Sequence, residues 1–155
     1  MNDRSSSPED HGDDGARPFD PAGDGWTIRD DEPGLMALVG PLWQRGGAED
    51  LSFGFLAEKK HLNRRSVVHG GMLMAFADQA LGLAAREING GLPQATIQLD
   101  TQFIAPAAAG EFVSVRPEVV RRTRSILFMR GTLAVDGRTV ATSQGIWKVL
   151  SKSHD

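Results

Sequence analysis

The stretch from Met72 to Ala85, MLMAFADQALGLAA, holds only apolar residues and glycine except at Asp78 and Gln79. As a helix, fourteen residues rise about 21 Å, too short for a bilayer's apolar layer of about 30 Å. A helix that is apolar all round leaves no face for water, so the pattern predicts the buried core helix of a globular domain, opening at Gly70-Gly71. The carboxylate at its midpoint needs a reason. Buried charge is costly unless paired, and the neighbours of Asp78 at three and four residues are Met74, Ala75, Leu81 and Gly82, which offer no ion pair. Either another part of the fold satisfies Asp78, or the carboxylate performs chemistry.

The start of the helix bears on that choice. Val68-His69-Gly70-Gly71 brings bare backbone N–H groups to a helix N-terminus, where the dipole favours negative charge. Without a Cβ, a glycine lets a substrate oxygen approach the backbone, which suits a donor to a developing oxyanion. Taken alone, two glycines also serve as a tight turn into a helix.

Asn63, then His69-Gly70-Gly71, then Asp78 nine residues after the histidine, together resemble the hotdog-fold thioesterases of the phenylacetate-degradation (PaaI) type. Their pattern is N-P-x-G-x-x-H-G-G followed by a buried helix carrying Asp. This chain has Arg64 for the proline and Ser66 for the glycine, two positions that shape the loop. The similarity spans roughly residues 25–150. It implies hydrolysis of an acyl-CoA to free acid and CoA, with no cofactor and no metal. It also implies sites at a dimer interface, with dimers commonly paired into tetramers. Carried over by position, Asp78 is general base or nucleophile, Gly70 N–H the oxyanion donor, and Asn63 orients the carbonyl or the water. Thr96 stands where the family often has Ser or Thr helping to hold the water. His69 and Gly71 position the loop or face the substrate, and Arg121, Arg122, Arg124 and Ser125 lie near the CoA nucleotide.

The rest of the chain is consistent with one domain. Residues 1–24 hold seven acids against two arginines, with little apolar area, and are expected to be a disordered acidic tail. The domain is then 25–155, with a mild positive charge that suits an anionic small molecule and falls short of a nucleic-acid surface. There is no cysteine, so thiolate catalysis and disulfides are excluded. With no early apolar run and no long apolar segment, the expected location is cytoplasmic.

Residues 32–45 read as a short amphipathic helix with Gly40-Pro41 breaking or kinking it, and 51–58 as a first strand placing Leu51, Phe53 and Phe55 on one face. Asn89-Gly90-Gly91 stops the central helix. Four strands are expected over 95–104, 111–120, 125–135 and 138–150, the last two joined at Asp136-Gly137 as a hairpin. In the first of these, Thr96 falls on the opposite phase from Ile97 and Leu99. With no helix between them, these strands form a meander, and the sheet is antiparallel. Such a sheet buries one apolar helix by wrapping around it. The fold class is therefore α+β, a hotdog of about five strands around one long buried helix, with a short N-terminal helix.

Sequence also excludes alternatives. There is no G-x-S-x-G elbow, phosphate loop or H-E-x-x-H, and only His61 and His69 lie away from the termini, too few for a metal site. A non-catalytic acyl-CoA-binding hotdog module and a hotdog dehydratase are the competing readings. Retention of Asp78, Asn63 and the glycine pair speaks against the first, and the spacing of His69 and Asp78 against the second.

The spacing has one more consequence. Gly70 and Asp78 are separated by about 12 Å of helical rise, whereas reacting atoms must come within about 3–3.5 Å. One chain cannot bring both to one thioester. Two chains related by a two-fold axis, with helices antiparallel, bring Asp78 of one towards Gly70 of the other.

Overall fold

The computed structural model describes residues 19–48 and 50–150. In chain order the elements are β1 (Thr27–Arg29), α1 (Leu35–Val39), β2 (Leu42–Arg45), β3 (Ser52–Leu56), a 3-10 turn (Lys59–His61) and α2 (Gly70–Ile88). They are followed by β4 (Gln94–Phe103), β5 (Phe112–Val115), β6 (Glu118–Arg122), β7 (Ile126–Val135) and β8 (Arg138–Val149). One sheet runs β1-β2-β3-β5-β7-β8-β4, with β6 beside β7, and every pair is antiparallel. It curls around α2, which packs on β3, β4, β7 and β8. This is the α+β hotdog architecture, with one principal helix and a small second one.

The sheet has eight strands rather than about five, and three details of the expected elements change. The strand expected over 111–120 is two, because Arg116-Pro117 interrupts it and proline has no N–H for the ladder. The late strands are not a meander: β4 pairs with β8, the last strand, and β5 inserts between β3 and β7. The expected helix over 32–45 ends at Gly40, after which a cis Gly40–Pro41 bond leads into β2, paired with β3. Asp136-Gly137 is the β7–β8 hairpin, with φ of 47° and 80° at the two residues as a primed turn requires.

The helix differs from an element buried on every side. Leu73, Phe76, Ala77, Ala80, Leu81, Ala84 and Ala85 face the core, and Phe76 meets Phe55 edge-on at 4.9 Å. Close approach to the sheet depends on Gly131, where an added Cβ would lie 3.1 Å from Leu81 Cδ2. The opposite stripe is open: Gly71 and Met74 are exposed and Ala75, Asp78 and Gly82 half-buried. The sheet stops at β4, so nothing among the described residues covers this stripe. Strand β4 is itself largely exposed, including Ile97, Phe103 and the following Ile104.

A smaller apolar cluster lies on the outer face of β3. Phe112 packs over Gly54, where an added Cβ would fall 2.3 Å from its ring, so Gly54 is buried rather than facing water. Phe19 and Trp26 each approach Phe112 at 4.8 Å between centroids, and Pro21 is buried beneath a turn closed by Trp26 N–H to Pro21 C=O. The folded body therefore reaches back to Phe19, short of the expected boundary at residue 24. The remainder of the expected acidic tail, 1–18, lies outside the described residues.

Candidate active site

Helix α2 begins in a tight loop held by Asn63. Asn63 Oδ1 accepts from Arg65 N–H at 2.8 Å and from Val67 N–H at 3.5 Å, while its own N–H donates to Val67 C=O at 2.8 Å. Ser66 N–H closes the turn on Asn63 C=O at 3.0 Å, with Ser66 at φ 59°. That left-handed conformation is why glycine suits this position, and serine adopts it at a cost on the order of 1 kcal/mol. Asn63 Nδ2 has no protein acceptor among the described residues.

At the helix start, His69 is the N-cap and its Nδ1 accepts from Gly71 N–H at 2.8 Å. Met72 and Leu73 N–H donate to His69 C=O at 2.9 and 3.2 Å. Of the first four N–H groups, only that of Gly70 is left without an acceptor among the described residues. The Phe103 ring covers the other side of Gly70, 3.0 Å from where a Cβ would stand. Gly70 and Asn63 open into an apolar cleft lined also by Val67, Val68, Leu73 and the run Phe103–Ala107.

Asp78 opens into a different cleft, lined also by Gly82, the exposed Arg86, Leu92, Gln94, Thr96 and Trp147. Thr96 Oγ1 donates to Asp78 Oδ1 at 2.8 Å, and Asp78 has no cationic partner among the described residues. Thr96 reaches the helix because of a bulge: it pairs with Trp147, Gln98 pairs with Ile146, and Ile97 is squeezed out between them. The extra residue shifts the phase, so Thr96 shares the helix-facing side with Leu99, contrary to simple alternation. Next to Asp78, Gln79 donates to Glu32, which is paired with Arg29 at 3.1 Å and ties the segment before α1 to the helix.

The other expected residues lie apart. Arg121, Arg122 and Arg124 are exposed in and beside the β6–β7 hairpin and line neither cleft. Ser125 is half-buried there, its C=O accepting from Val149 N–H at 2.8 Å. Ile126 and Ala95 both pair with Lys148, so this hairpin lies about 10 Å across the sheet from the Asp78 end of β4. His61 is structural. It is buried, its Nδ1 accepts from Glu58 N–H at 2.9 Å, and its Nε2 donates to Val39 C=O at 2.6 Å. Both ring nitrogens are thus occupied in a neutral ring. No cluster of three metal-ligating side chains occurs among the described residues, and no helix there is long and apolar enough to cross a membrane.

Sequence reasoning missed Arg86, Gln94 and Trp147. Arg86 was readable from the four-residue spacing of Asp78, Gly82 and Arg86. Gln94 and Trp147 come from distant strands and left no local signal.

The family model of the thioesterase superfamily matches residues 66–142, from the loop before the helix into β8. "Putative esterase PA0474" of Pseudomonas aeruginosa is 30% identical over 115 residues, covering 73% of this chain and 86% of that protein. The chain belongs to the thioesterase superfamily. Phenylacetic acid degradation protein PaaI from Thermus thermophilus, solved as a mutant, aligns at TM-score 0.67 and 25% identity. That alignment covers 75% of this chain and 98% of the other. A Streptococcus mutans protein solved bound to acetyl CoA shares the fold at TM-score 0.61 and 21% identity, over 66% of this chain and 82% of its own. This hotdog thioesterase is a thioester hydrolase of the PaaI type.

Proposed function

We propose that this thioesterase hydrolyses an acyl-CoA to free acid and CoA in sites built from two copies of the chain. The observation that carries this is the separation of the two half-sites. Gly70 N–H and the Asp78 carboxylate open into different clefts, about 12 Å apart along one straight helix. Beside them run the bare edge of β4 and the uncovered stripe Gly71, Met74, Asp78. A second copy placed antiparallel against this edge covers exposed Met74, Ile97, Phe103 and Ile104, and sets Asp78 of each chain against Gly70 of the other. Two such sites form per dimer, and pairing of dimers into a tetramer is part of the same reading.

In each site Gly70 N–H polarises the thioester carbonyl and stabilises the tetrahedral oxyanion. Asp78, oriented by Thr96, activates a water or attacks the carbonyl itself. Asn63 holds the loop that aims Gly70 and presents its free Nδ2 to the cleft, while His69 occupies the Gly71 N–H. The hairpin carrying Arg121, Arg122, Arg124 and Ser125 offers guanidinium groups to the CoA phosphates. The acetyl CoA bound by the S. mutans neighbour supports a CoA thioester as substrate.

The test is thiol release from a panel of acyl-CoAs by the purified protein and by Asp78→Asn, which keeps shape and loses the carboxylate. Turnover of the best substrate is expected to fall at least about 100-fold, the scale of one general base, with Tm preserved. Near wild-type turnover by Asp78→Asn overturns the assignment.

A further inference from the structure

Arg86 is a basic residue that the reading above leaves without a task. It lies two turns beyond Asp78 in α2 and lines the same cleft. Among the described arginines, Arg29, Arg45, Arg130 and Arg138 are held in ion pairs with carboxylates, and the exposed Arg64, Arg65, Arg121, Arg122 and Arg124 do not line the Asp78 cleft. Arg86 has no carboxylate or carbonyl partner among the described residues, although Glu87 is its neighbour in sequence. A cation in the last turn of a helix is favoured by the macrodipole wherever on the circumference it stands. The dipole does not account for its place in the Asp78 cleft, between the helix and the wall made by Leu92, Pro93 and Gln94.

We infer that Arg86 binds an anionic group of the substrate, held on the far side of Asp78 from the reacting carbonyl. This rests on the thioesterase reading and adds to it the direction in which the substrate lies. Eight helical residues put the Arg86 Cα about 12 Å from that of Asp78, and the extended side chain adds several ångströms. The pantetheine arm of CoA has thirteen bonds from sulfur to the first phosphorus, about 16 Å when extended at the advance per bond of an extended chain. The two lengths match. A second source of the same charge is a carboxylate at the far end of a long acyl group. In both cases one planar guanidinium meets a phosphate or carboxylate with paired N–H donors, the recognition for which arginine is suited and lysine is not. Gln94 strengthens the wall there, since its Nε2 is committed to Gly82 C=O and its Oε1 to Asn89.

Arg86→Gln and Arg86→Lys separate this from a structural role, because lysine preserves the helix-end charge. Binding of CoA itself is measured by calorimetry, and hydrolysis with three substrates: an acyl-CoA, the same acyl group on N-acetylcysteamine, and an acyl-N-acetylcysteamine ending in a carboxylate. The expected result is CoA binding weakened about tenfold in Arg86→Gln, the scale of one charge-assisted hydrogen bond, with lysine intermediate. KM for the acyl-CoA rises in step, kcat and Tm hold, and KM for the neutral N-acetylcysteamine ester is unchanged. If the acyl carboxylate is the ligand, the KM rise moves to the third substrate and CoA binding is unaffected. Unchanged CoA binding together with unchanged KM on all three overturns the assignment of Arg86, while hydrolysis by the wild type leaves the thioesterase reading standing. If the wild type hydrolyses none of the thioesters and binds no CoA, both readings fall.

Discussion

The proposed shared site makes a demand that a single-chain site cannot meet, and two substitutions test it. Gly70→Pro removes only the proposed oxyanion donor. Residue 70 is the first helical position, where proline is favoured and no intrahelical bond is lost. His69 already sits at φ −62° and ψ 134°, the extended conformation needed before a proline. The remaining obstacle is the Phe103 ring, 3.0 Å from the new Cβ, a contact relieved when the ring gives by a few tenths of an ångström. Gly70→Pro is therefore expected to fold with Tm within a few degrees of wild type, and to lose about 100- to 1000-fold in kcat. Asp78→Asn is expected to lose activity similarly. In a heterodimer of the two, one site receives both defects and the other receives neither. Chains with different tags, co-expressed and purified through both, should recover up to about half the wild-type rate per dimer, as two equivalent sites require. Verified heterodimers without recovered activity refute the argument, and so does a stable, fully active monomer.

Thr96→Val removes the 2.8 Å bond to Asp78 and should lower kcat about tenfold with little change in KM, while Thr96→Ser retains most of it; equal rates for valine and serine would show the bond to be idle. Deleting residues 1–18 is expected to leave Tm and activity unchanged. Deleting 1–24 strips Phe19 from Phe112 and should cost about 2 kcal/mol, or roughly 5 °C in Tm by calorimetry; identical melting of the two truncations would refute the packing argument.

What was legible in the chain follows the range of the interactions. The helix, its start at Gly70 and its stop at Asn89-Gly90-Gly91 depend on neighbours three or four residues away, so their pattern is written locally. The Asp136-Gly137 hairpin is local too. The strand order is not, because nothing in β4 states that its partner is β8, some fifty residues later. Thr96 illustrates the limit. Alternation puts it away from the helix, and only a bulge, enforced by pairing with Trp147, returns it to Asp78. The open stripe of α2 was hidden for another reason: an apolar sequence does not say whether its cover comes from its own chain or from a second one.

The imidazole of His69 shapes what the helix start can hold. A bare helix N-terminus offers several N–H groups at once, the arrangement that grips phosphates and carboxylates. Here Nδ1 of His69 fills the Gly71 donor and the backbone takes the next two, so a visiting molecule meets one N–H. One donor is enough for the single oxygen of a thioester carbonyl or its oxyanion. A carboxylic acid, once released, has two oxygens and finds a partner for only one, so the socket gives it no forked grip. If Gly70 N–H is the proposed oxyanion donor, plugging the rest of the nest favours the oxygen that reacts over the oxygens of the acid that must leave.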